Sequence, residues 1–197
     1  MTVEERTREV HPLTLFAPEG ARLLMLGSFP PPRERWRMDF FYPNFQNDMW
    51  RIFGLVFFAD KSHFLTDDGR AFREAELRRF LTERGIAIWD TAMEVSRLQG
   101  NASDKFLEVL RPIDLRQTLA MLPSCRAIAV TGQKALDTLL TLVAAPSTPK
   151  TGEWTDAALD DRHFRLYRMP SSSRAYPLSV EKKAEKYRRM FEEMGLK

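Results

Sequence analysis

Residues Leu23–Gly54, LLMLGSFPPPRERWRMDFFYPNFQNDMWRIFG, decide the fold. The segment begins with four apolar residues, breaks at Gly27-Ser28 and passes through three consecutive prolines. This pattern is typical of a buried strand that ends in a stiff loop. Beyond the prolines, aromatic rings and side-chain amides lead directly into helix-like residues from Asp48. A loop of this composition, held between a strand and a helix, is suited to receive a flat polar ligand.

Three more strands are expected after the first strand, which we place at Arg22–Gly27. Two are short apolar segments, Ile86–Trp89 and Arg126–Val130, and the last is His163–Met169, in which polar and apolar residues alternate. Helix-like segments separate these strands, with apolar residues recurring at helical spacing. Four strands that alternate with helices predict an α/β fold, a three-layer α/β/α sandwich around a short, mainly parallel four-stranded central sheet.

The remaining segments carry weaker patterns. We expect residues 1–20 to form an irregular N-terminal segment, Met93–Asn101 to form a loop, and Ser103–Leu110 to form a short helix. Residues Ala144–Ala158, with two prolines and a glycine, predict a surface loop. A C-terminal helix is expected over 179–197, capped by its first residue. A chain of 197 residues suits one core better than two, so residues 1–197 are expected to form a single domain.

Composition excludes several kinds of site. Cys125 is the only cysteine, so this chain's own thiolates cannot form an intramolecular disulfide, a cysteine-ligated zinc site or an iron–sulfur cluster. The three histidines, His11, His63 and His163, show no paired metal spacing, and we interpret each as structural or exposed. We therefore expect no metal and no cofactor. The net charge of +3 permits a polyanionic partner without requiring one.

The N-terminus carries acidic residues and no apolar core, and no apolar run approaches the length of about 18 residues that a membrane helix needs. The sequence therefore predicts neither a signal peptide nor a membrane span. We expect a monomer in the reducing cytoplasm.

Parallel sheets of this class bind ligands beyond the carboxyl ends of their strands. The four loops at those ends are Gly27–Asn47, Asp90–Asn101, Thr131–Lys134 and Pro170–Pro177. The glycine turn at Gly132 can present backbone amides to an anion, although the glycine spacing of a nucleotide-binding motif is absent.

The ordered motifs in these loops resemble the uracil-DNA glycosylase superfamily, in particular its branch of hypoxanthine-DNA and mismatch-specific glycosylases. The matching segments are Gly27–Pro30 and Asn47–Trp50 for the two ends of the first motif, Gly85–Asp90 for the strand that ends in Trp-Asp, Gly132–Ala135 for the later glycine turn and Pro170–Ser173 for the late Pro-Ser loop. Together they extend over Leu13–Tyr176 in the order of the family.

The resemblance implies a monofunctional DNA glycosylase of base-excision repair, whose partner is DNA containing a deaminated base. Such an enzyme flips uracil or hypoxanthine out of the duplex and hydrolyses its N-glycosidic bond. Asn47 would be catalytic by orienting the hydrolytic water, and Tyr42 would stack on the base. The backbone amides of Ser28 and Phe29 would bind a base carbonyl as negative charge develops. The implied base pocket comprises Gly27, Ser28, Phe29, Tyr42 and Asp90.

The late loop and the glycine turn would contact phosphates. The implied DNA-binding residues are Pro170, Ser171, Ser172, Ser173, Arg174, Tyr176 and Lys134. Some relatives carry a wedging leucine where Ser173 falls, so Arg174 or Tyr176 would take that role. The structural alternatives are an ordinary capped loop at Ser171–Ser173 and a helix cap at Asn47.

Other interpretations stay open. Phe29 stands where other branches have Asp or Asn, which favours a second hypothesis, a catalytically weak nucleic-acid or nucleotide-binding module on the same fold. A small-molecule hydrolase is a third, but the sequence contains no Gly-x-Ser-x-Gly elbow. Asp39, Asp48 and Asp90 are alternatives to Asn47 as water activators, and each also has a structural interpretation.

Overall fold

The computed structural model describes residues 6–98 and 103–197, which form eight strands and five α-helices. The strands are β1 (Arg6–Val10), β2 (Leu23–Gly27), β3 (Ile86–Asp90), β4 (Ala92–Leu98), β5 (Leu107–Pro112), β6 (Ala127–Thr131), β7 (Glu153–Leu159) and β8 (Arg162–Met169). The helices are α1 (Met49–Phe58), α2 (Glu74–Arg84), α3 (Leu115–Ala120), α4 (Gln133–Leu140) and α5 (Val180–Glu193). Short 3₁₀ helices occupy Arg33–Arg35 and Asp104–Phe106.

The central sheet has five strands in the order β3-β2-β6-β8-β7. The first four are parallel, and β7 pairs antiparallel with β8 at one edge. The α/β class is confirmed, but the prediction of four strands is wrong, because β7 lies largely inside the predicted surface loop 144–158. Only Thr155 and Ala157 of β7 are buried. An edge strand of this kind lacks the continuous apolar run of a strand covered on both faces.

Helices cover both faces of this sheet. In β2, Leu23 and Met25 pack with side chains of α1, α2 and α5, whereas Leu24 and Leu26 pack with side chains of α3 and α4. This alternation follows from the two-residue period of a strand. It explains why the whole of β2 is apolar and why the sequence marks it so clearly.

A second, three-stranded antiparallel sheet in the order β1-β4-β5 corrects three predictions. Part of the N-terminal segment expected to be irregular forms β1, most of the loop expected from residue 93 forms β4, and the helix expected from residue 103 is a 3₁₀ turn followed by β5. Residues 99–102 lie outside the described residues. The three strands are rich in charge and bury few apolar side chains, Ala92, Val95 and Leu107 among them, so their apolar signal is weak.

Ion pairs contribute to the pairing of these strands. Arg8 of β1 bonds to Glu94 of β4, and Arg97 of β4 donates to Glu9 of β1 at 2.8 Å. Cross-strand pairs of opposite charge stabilise antiparallel sheets. Helical periodicity cannot reveal such pairs, because each joins residues that are distant in the sequence.

The C-terminal helix α5 begins after Ser179, whose hydroxyl oxygen accepts a hydrogen bond from the Lys182 N–H at 3.3 Å. This is the expected cap. Within residues 6–98 and 103–197, no helix combines the length and the apolar character that crossing a bilayer requires.

Candidate functional site

The register of the central sheet brings four strand ends to one edge. Gly27 pairs with Asp90, and Thr131 pairs with Met169, so β2, β3, β6 and β8 all end at the same level. The loops that follow these strands surround a cavity of about 550 Å³, which we call the strand-end cavity. This volume is typical of a small-molecule or nucleobase pocket.

Most of the predicted site residues line this cavity. They are Gly27, Ser28, Phe29, Tyr42, Asn47, Asp90, Lys134, Ser171, Ser172, Ser173 and Tyr176. The other two predicted residues, Pro170 and Arg174, are not part of its lining. The structure therefore brings together side chains that lie up to 149 positions apart in the sequence.

Gly27 and Tyr42 lie close together in the cavity wall. A Cβ atom at Gly27 would lie 2.4 Å from Asp90 Oδ1 and 3.4 Å from the Tyr42 hydroxyl, so a larger residue does not fit. Tyr42 has a φ of +50°, an uncommon conformation for a residue with a side chain. Its hydroxyl shares a hydrogen bond of 2.9 Å with Thr131 Oγ1. Burial, assisted by the charge of Asp90, raises the pKa of Tyr42 far above its usual value, so the phenol stays neutral.

The backbone at Ser28 and Phe29 offers two donors beside this wall. Both residues line the cavity, and their N–H groups donate to no acceptor within the described part of the chain. The Phe29 ring is turned elsewhere. It packs with the small apolar cluster of the second sheet and contacts His11 edge-on, with 5.3 Å between ring centroids. Phe29 thus contributes its backbone N–H to the cavity and its apolar side chain to the second, three-stranded sheet.

Asp90 has a partner that the sequence did not suggest. Its Oδ2 lies 2.7 Å from His11 Nε2, and only 3% of the His11 side chain and 9% of the Asp90 side chain are exposed. His11 directly follows β1, and its N–H donates to the carbonyl of Met93 at 2.9 Å. Our interpretation of His11 as a generic histidine missed this contact, because only the pairing of β1 with β4 brings the two residues together.

Asp104 is a second residue that we did not predict. Ser28 Oγ donates to Asp104 Oδ1 at 2.8 Å, and Asp104 lines the cavity. Although the residue as a whole is exposed, loss of water around its carboxyl raises the pKa of Asp104. The hydrogen bond from Ser28 opposes this shift, the charge of Asp90 adds to it, and the charge of Lys134 opposes it. The Asp104 carboxyl therefore holds its proton more tightly than an aspartate carboxyl surrounded by water does.

Asn47 combines the two roles considered for it. Its Oδ1 accepts a hydrogen bond from the Met49 N–H at 2.9 Å, which ties it to the first turn of α1. This bond assigns the other end of the amide as the NH₂ group. That group donates to no acceptor among the residues described, and Asn47 lines the cavity. The amide is therefore fixed by the helix start and still has hydrogen-bonding capacity for a ligand or a water.

A group of charges that is buried except for Arg174 contacts the late loop, and we call it the Asp48 cluster. Asp48 accepts from Arg174 Nε at 3.0 Å and lies 3.6 Å from Lys183 Nζ and 3.9 Å from Arg51 Nη1. Burial lowers the pKa of Lys183, and the charge of Asp48 opposes that shift. Lys183 Nζ also donates to the carbonyl of Ser173 at 2.8 Å. The cluster therefore fixes the loop that carries three of the cavity's serines.

Arg174 belongs to this cluster more than to the cavity. Besides its bond to Asp48, it donates from Nη1 to Gln46 Oε1 at 2.9 Å. Both partners lie on the segment that leads into α1. Arg174 thus joins the late loop to the helix start, and its predicted contact with DNA stays a prediction.

Next to the cavity lies a groove of about 540 Å³, which we call the arginine groove after Arg35, Arg37 and Arg70. The groove shares Arg35 and Asn44 with the strand-end cavity. Arg35 and Arg70 are exposed, and neither has an ion-pair partner within residues 6–98 and 103–197. The sequence analysis did not identify this surface.

Comparison with known proteins finds a structural relative but no sequence family. The chain matches no protein-family model and no curated protein. It is similar to the solution NMR structure of a proposed uracil DNA glycosylase from Methanosarcina acetivorans, with a TM-score of 0.59 and 20% sequence identity. The similarity covers 94% of this chain and 99% of that one. The two proteins share their fold.

The shared fold agrees with the predicted α/β architecture, and membership of the uracil-DNA glycosylase superfamily stays a prediction. The finer assignment to the hypoxanthine and mismatch branch stays a prediction. Across the residues that the structure describes, no group of three or more histidine, cysteine, aspartate or glutamate side chains could hold a metal ion. The polar groups that the described residues bring to the cavity are backbone amides, side-chain amides, hydroxyls, carboxylates and the cationic groups of Arg35 and Lys134.

Proposed function

We propose that the protein is a monofunctional DNA glycosylase that removes deaminated bases, uracil or hypoxanthine, from DNA. The observation that carries this proposal is the position of the Ser28 and Phe29 amides, Tyr42 and Asn47 around one cavity that is large enough to admit a nucleobase. The shared fold with a proposed uracil DNA glycosylase adds support.

In the proposed reaction, the target nucleotide leaves the base stack and its base enters the cavity, because C1′ is hidden in the duplex. A base carbonyl accepts hydrogen bonds from the amides of Ser28 and Phe29, and the Tyr42 ring covers the base. The bond between C1′ and the base nitrogen breaks with its electron pair going to the base. The two amides stabilise the negative charge that develops there.

The sugar then has oxocarbenium character and reacts with a water oriented by Asn47. Orientation contributes more than deprotonation here, because the electrophile is strong. The C1′–O bond forms and the water releases one proton. The Asp104 carboxylate is the acceptor we assign to that proton, since its raised pKa makes it more basic than an exposed aspartate.

Oligonucleotides test the proposal. Labelled strands carrying uracil, hypoxanthine or xanthine, single-stranded and in mismatches, are incubated with the protein and scored for alkali-labile sites. We expect cleavage with at least one lesion. Asn47→Ala should lower the rate about 100-fold and leave DNA binding nearly unchanged, because a misplaced water loses the benefit of orientation.

Asn44→Ala is the matched control, since Asn44 lines the same cavity and has no assigned role. An unchanged rate in the Asn47 variant would move the water-orienting role elsewhere.

A second candidate function is a nucleic-acid or nucleotide-binding module without efficient chemistry. It is favoured by Phe29, which brings no polar side chain to the cavity. Absence of cleavage for every lesion, together with salt-sensitive DNA binding, would support this candidate and exclude the enzyme.

A further inference from the structure

The Asp90 carboxylate is hydrogen-bonded at one of its two oxygens. Oδ2 lies 2.7 Å from His11 Nε2, whereas Oδ1 receives no donor within the described part of the chain. Oδ1 lies against Gly27, at 2.4 Å from where a Cβ would stand, and both residues line the strand-end cavity. The Asp90 side chain is 9% exposed, and Oδ1 is open to the cavity, where water or a ligand can supply the donor that it lacks.

The contacts of His11 fix which of its nitrogens donates. A carboxylate only accepts hydrogen bonds, so Nε2 must carry a proton to bond with Asp90. Nδ1 lies 3.2 Å from the Leu13 nitrogen and 3.3 Å from the Leu13 carbonyl oxygen. It can accept from the first or, when protonated, donate to the second. In both cases Nε2 remains the donor to Asp90.

We propose that His11 is a positioning residue that holds Asp90 as a hydrogen-bond acceptor for a ring N–H of the bound base. This inference rests on the proposed function, and it adds the chemical group that the cavity recognises on the base, which is a ring N–H. His11 satisfies Oδ2 and prevents rotation of the carboxylate. Gly27, which has no side chain, leaves the space beside Oδ1 open.

The acceptor lies in the same cavity as two donors. The amides of Ser28 and Phe29 suit a carbonyl oxygen, and Asp90 Oδ1 suits an N–H. A lactam edge carries both groups, whereas the edges of adenine and cytosine carry a ring nitrogen with a lone pair. Deamination converts one pattern into the other. A site built to pair with a donor discriminates strongly against a ligand that lacks it, because its own polar group is then left unpaired.

The surroundings of Asp90 make this role depend on His11. Besides His11, the polar groups that influence this part of the cavity are the neutral Tyr42 hydroxyl and the Asp104 carboxyl, and neither is bonded to Asp90. Without His11, the Asp90 carboxyl would have no described donor. It would then be free to rotate, and Oδ1 would no longer be held as an acceptor for the bound base.

The test compares each base with a derivative in which a methyl group replaces the hydrogen of the ring N–H. Binding of hypoxanthine and 1-methylhypoxanthine, and of uracil and 3-methyluracil, is measured by titration calorimetry and by competition with labelled lesion-containing DNA. We expect the wild-type protein to prefer each unmethylated base by tenfold or more. His11→Ala and Asp90→Asn should reduce that ratio to about twofold or less. His11→Gln, which keeps an N–H donor, should restore part of it.

His163→Ala is the matched control, because His163 is exposed on β8 and lies outside the cavity lining. Thermal unfolding of every variant shows whether it is folded. A ratio that stays unchanged in folded His11→Ala or Asp90→Asn protein overturns the inference. A wild-type protein that shows no preference in either format also overturns it. Because binding is measured without cleavage, a selective protein that cleaves nothing would refute the proposed function alone.

Discussion

The strand-end cavity and the arginine groove enclose nearly equal volumes, about 550 and 540 Å³, but their chemistry differs. Several polar groups of the cavity, among them those of Ser28, Asp90 and Thr131, lie at the ends of buried strands, where the sheet fixes their directions. The charges of the groove come from long side chains on exposed loops. Volume alone therefore does not identify a binding site. Fixed hydrogen-bonding groups select one base, whereas flexible cations attract any polyanion.

The largest effect is expected on the free energy of unfolding when the Asp48 cluster, which holds the late loop of the cavity, loses a charge. Asp48→Asn removes the only carboxylate of the Asp48 cluster and leaves the buried Lys183 ammonium with the like charge of Arg174. We expect the free energy of unfolding in urea to fall by about 3 to 5 kcal/mol. The double variant Asp48→Asn with Lys183→Met removes the opposing charge as well and should recover at least half of this loss.

Arg116→Ala is the control for an exposed ion pair, since Arg116 bonds to Asp160 at the surface. Its loss should stay below about 1 kcal/mol. An equally small loss in Asp48→Asn would show that the cluster does not stabilise the late loop.

Alanine substitution of one glycine in the cavity and of one glycine in the groove gives a second comparison of the two regions. Gly27→Ala places a methyl group 2.4 Å from Asp90 Oδ1 and should lower glycosylase activity about 100-fold, because it displaces groups that must be positioned closely. Gly69 lines the groove, has a φ of +66°, and a methyl group added to it would have no atom within 4 Å. Gly69→Ala should leave activity within about twofold and lower stability by about 1 kcal/mol.

Both glycine variants are assayed for rate and for unfolding midpoint. Equal activity losses would mean that the groove is as demanding as the cavity. That result would remove the distinction between the two regions.

Substitution of Asp104 tests whether this carboxyl lowers the stability of the folded protein while it contributes to activity. Its pKa is raised in the folded protein, so its ionisation favours unfolding, and stability is lost as pH rises through the folded-state pKa. Asp104→Asn should therefore raise the unfolding midpoint at pH 7 and leave it nearly unchanged below the pKa of an unfolded aspartate. Activity should fall about tenfold, and the rise of the rate with pH should flatten.

Asp156→Asn, on the exposed side of β7, is the matched control and should change neither property. A stabilised Asp104 variant with full activity would exclude the carboxylate as proton acceptor.

Asp104 and His11 also show where prediction from the sequence ends. Strands β2, β3 and β6 were predictable because they are buried on both faces and therefore apolar throughout. The position of Gly27, Tyr42 and Asn47 beside one cavity was predictable for a related reason, since the three residues lie in one continuous motif. Strands β1, β4 and β5 bury few apolar side chains, and their charged residues pair across the sheet. His11 and Asp104 lie on or beside these strands, so the weak signal that concealed the second sheet also concealed them.

The smallest effect is expected in the arginine groove, where the contact is electrostatic. The double variant Arg35→Ala/Arg70→Ala removes two exposed guanidinium groups beside the cavity. It should weaken DNA binding several-fold and reduce the slope of log K against log salt by about 1 to 2, with the same factor for DNA with and without a lesion. Fluorescence anisotropy at several salt concentrations measures both quantities.

The matched control is Arg126→Ala/Arg165→Ala, which removes the same charge from two exposed positions, Arg126 just before β6 and Arg165, which pairs with Ala127 at the start of β6. Because the cavity lies at the carboxyl ends of these strands, the control should change the salt slope little. Equal slopes for the two double variants would mean that only net charge matters and that DNA does not follow the groove. A loss confined to lesion-containing DNA would instead place Arg35 in base recognition, which its position in the lining of both the cavity and the groove allows.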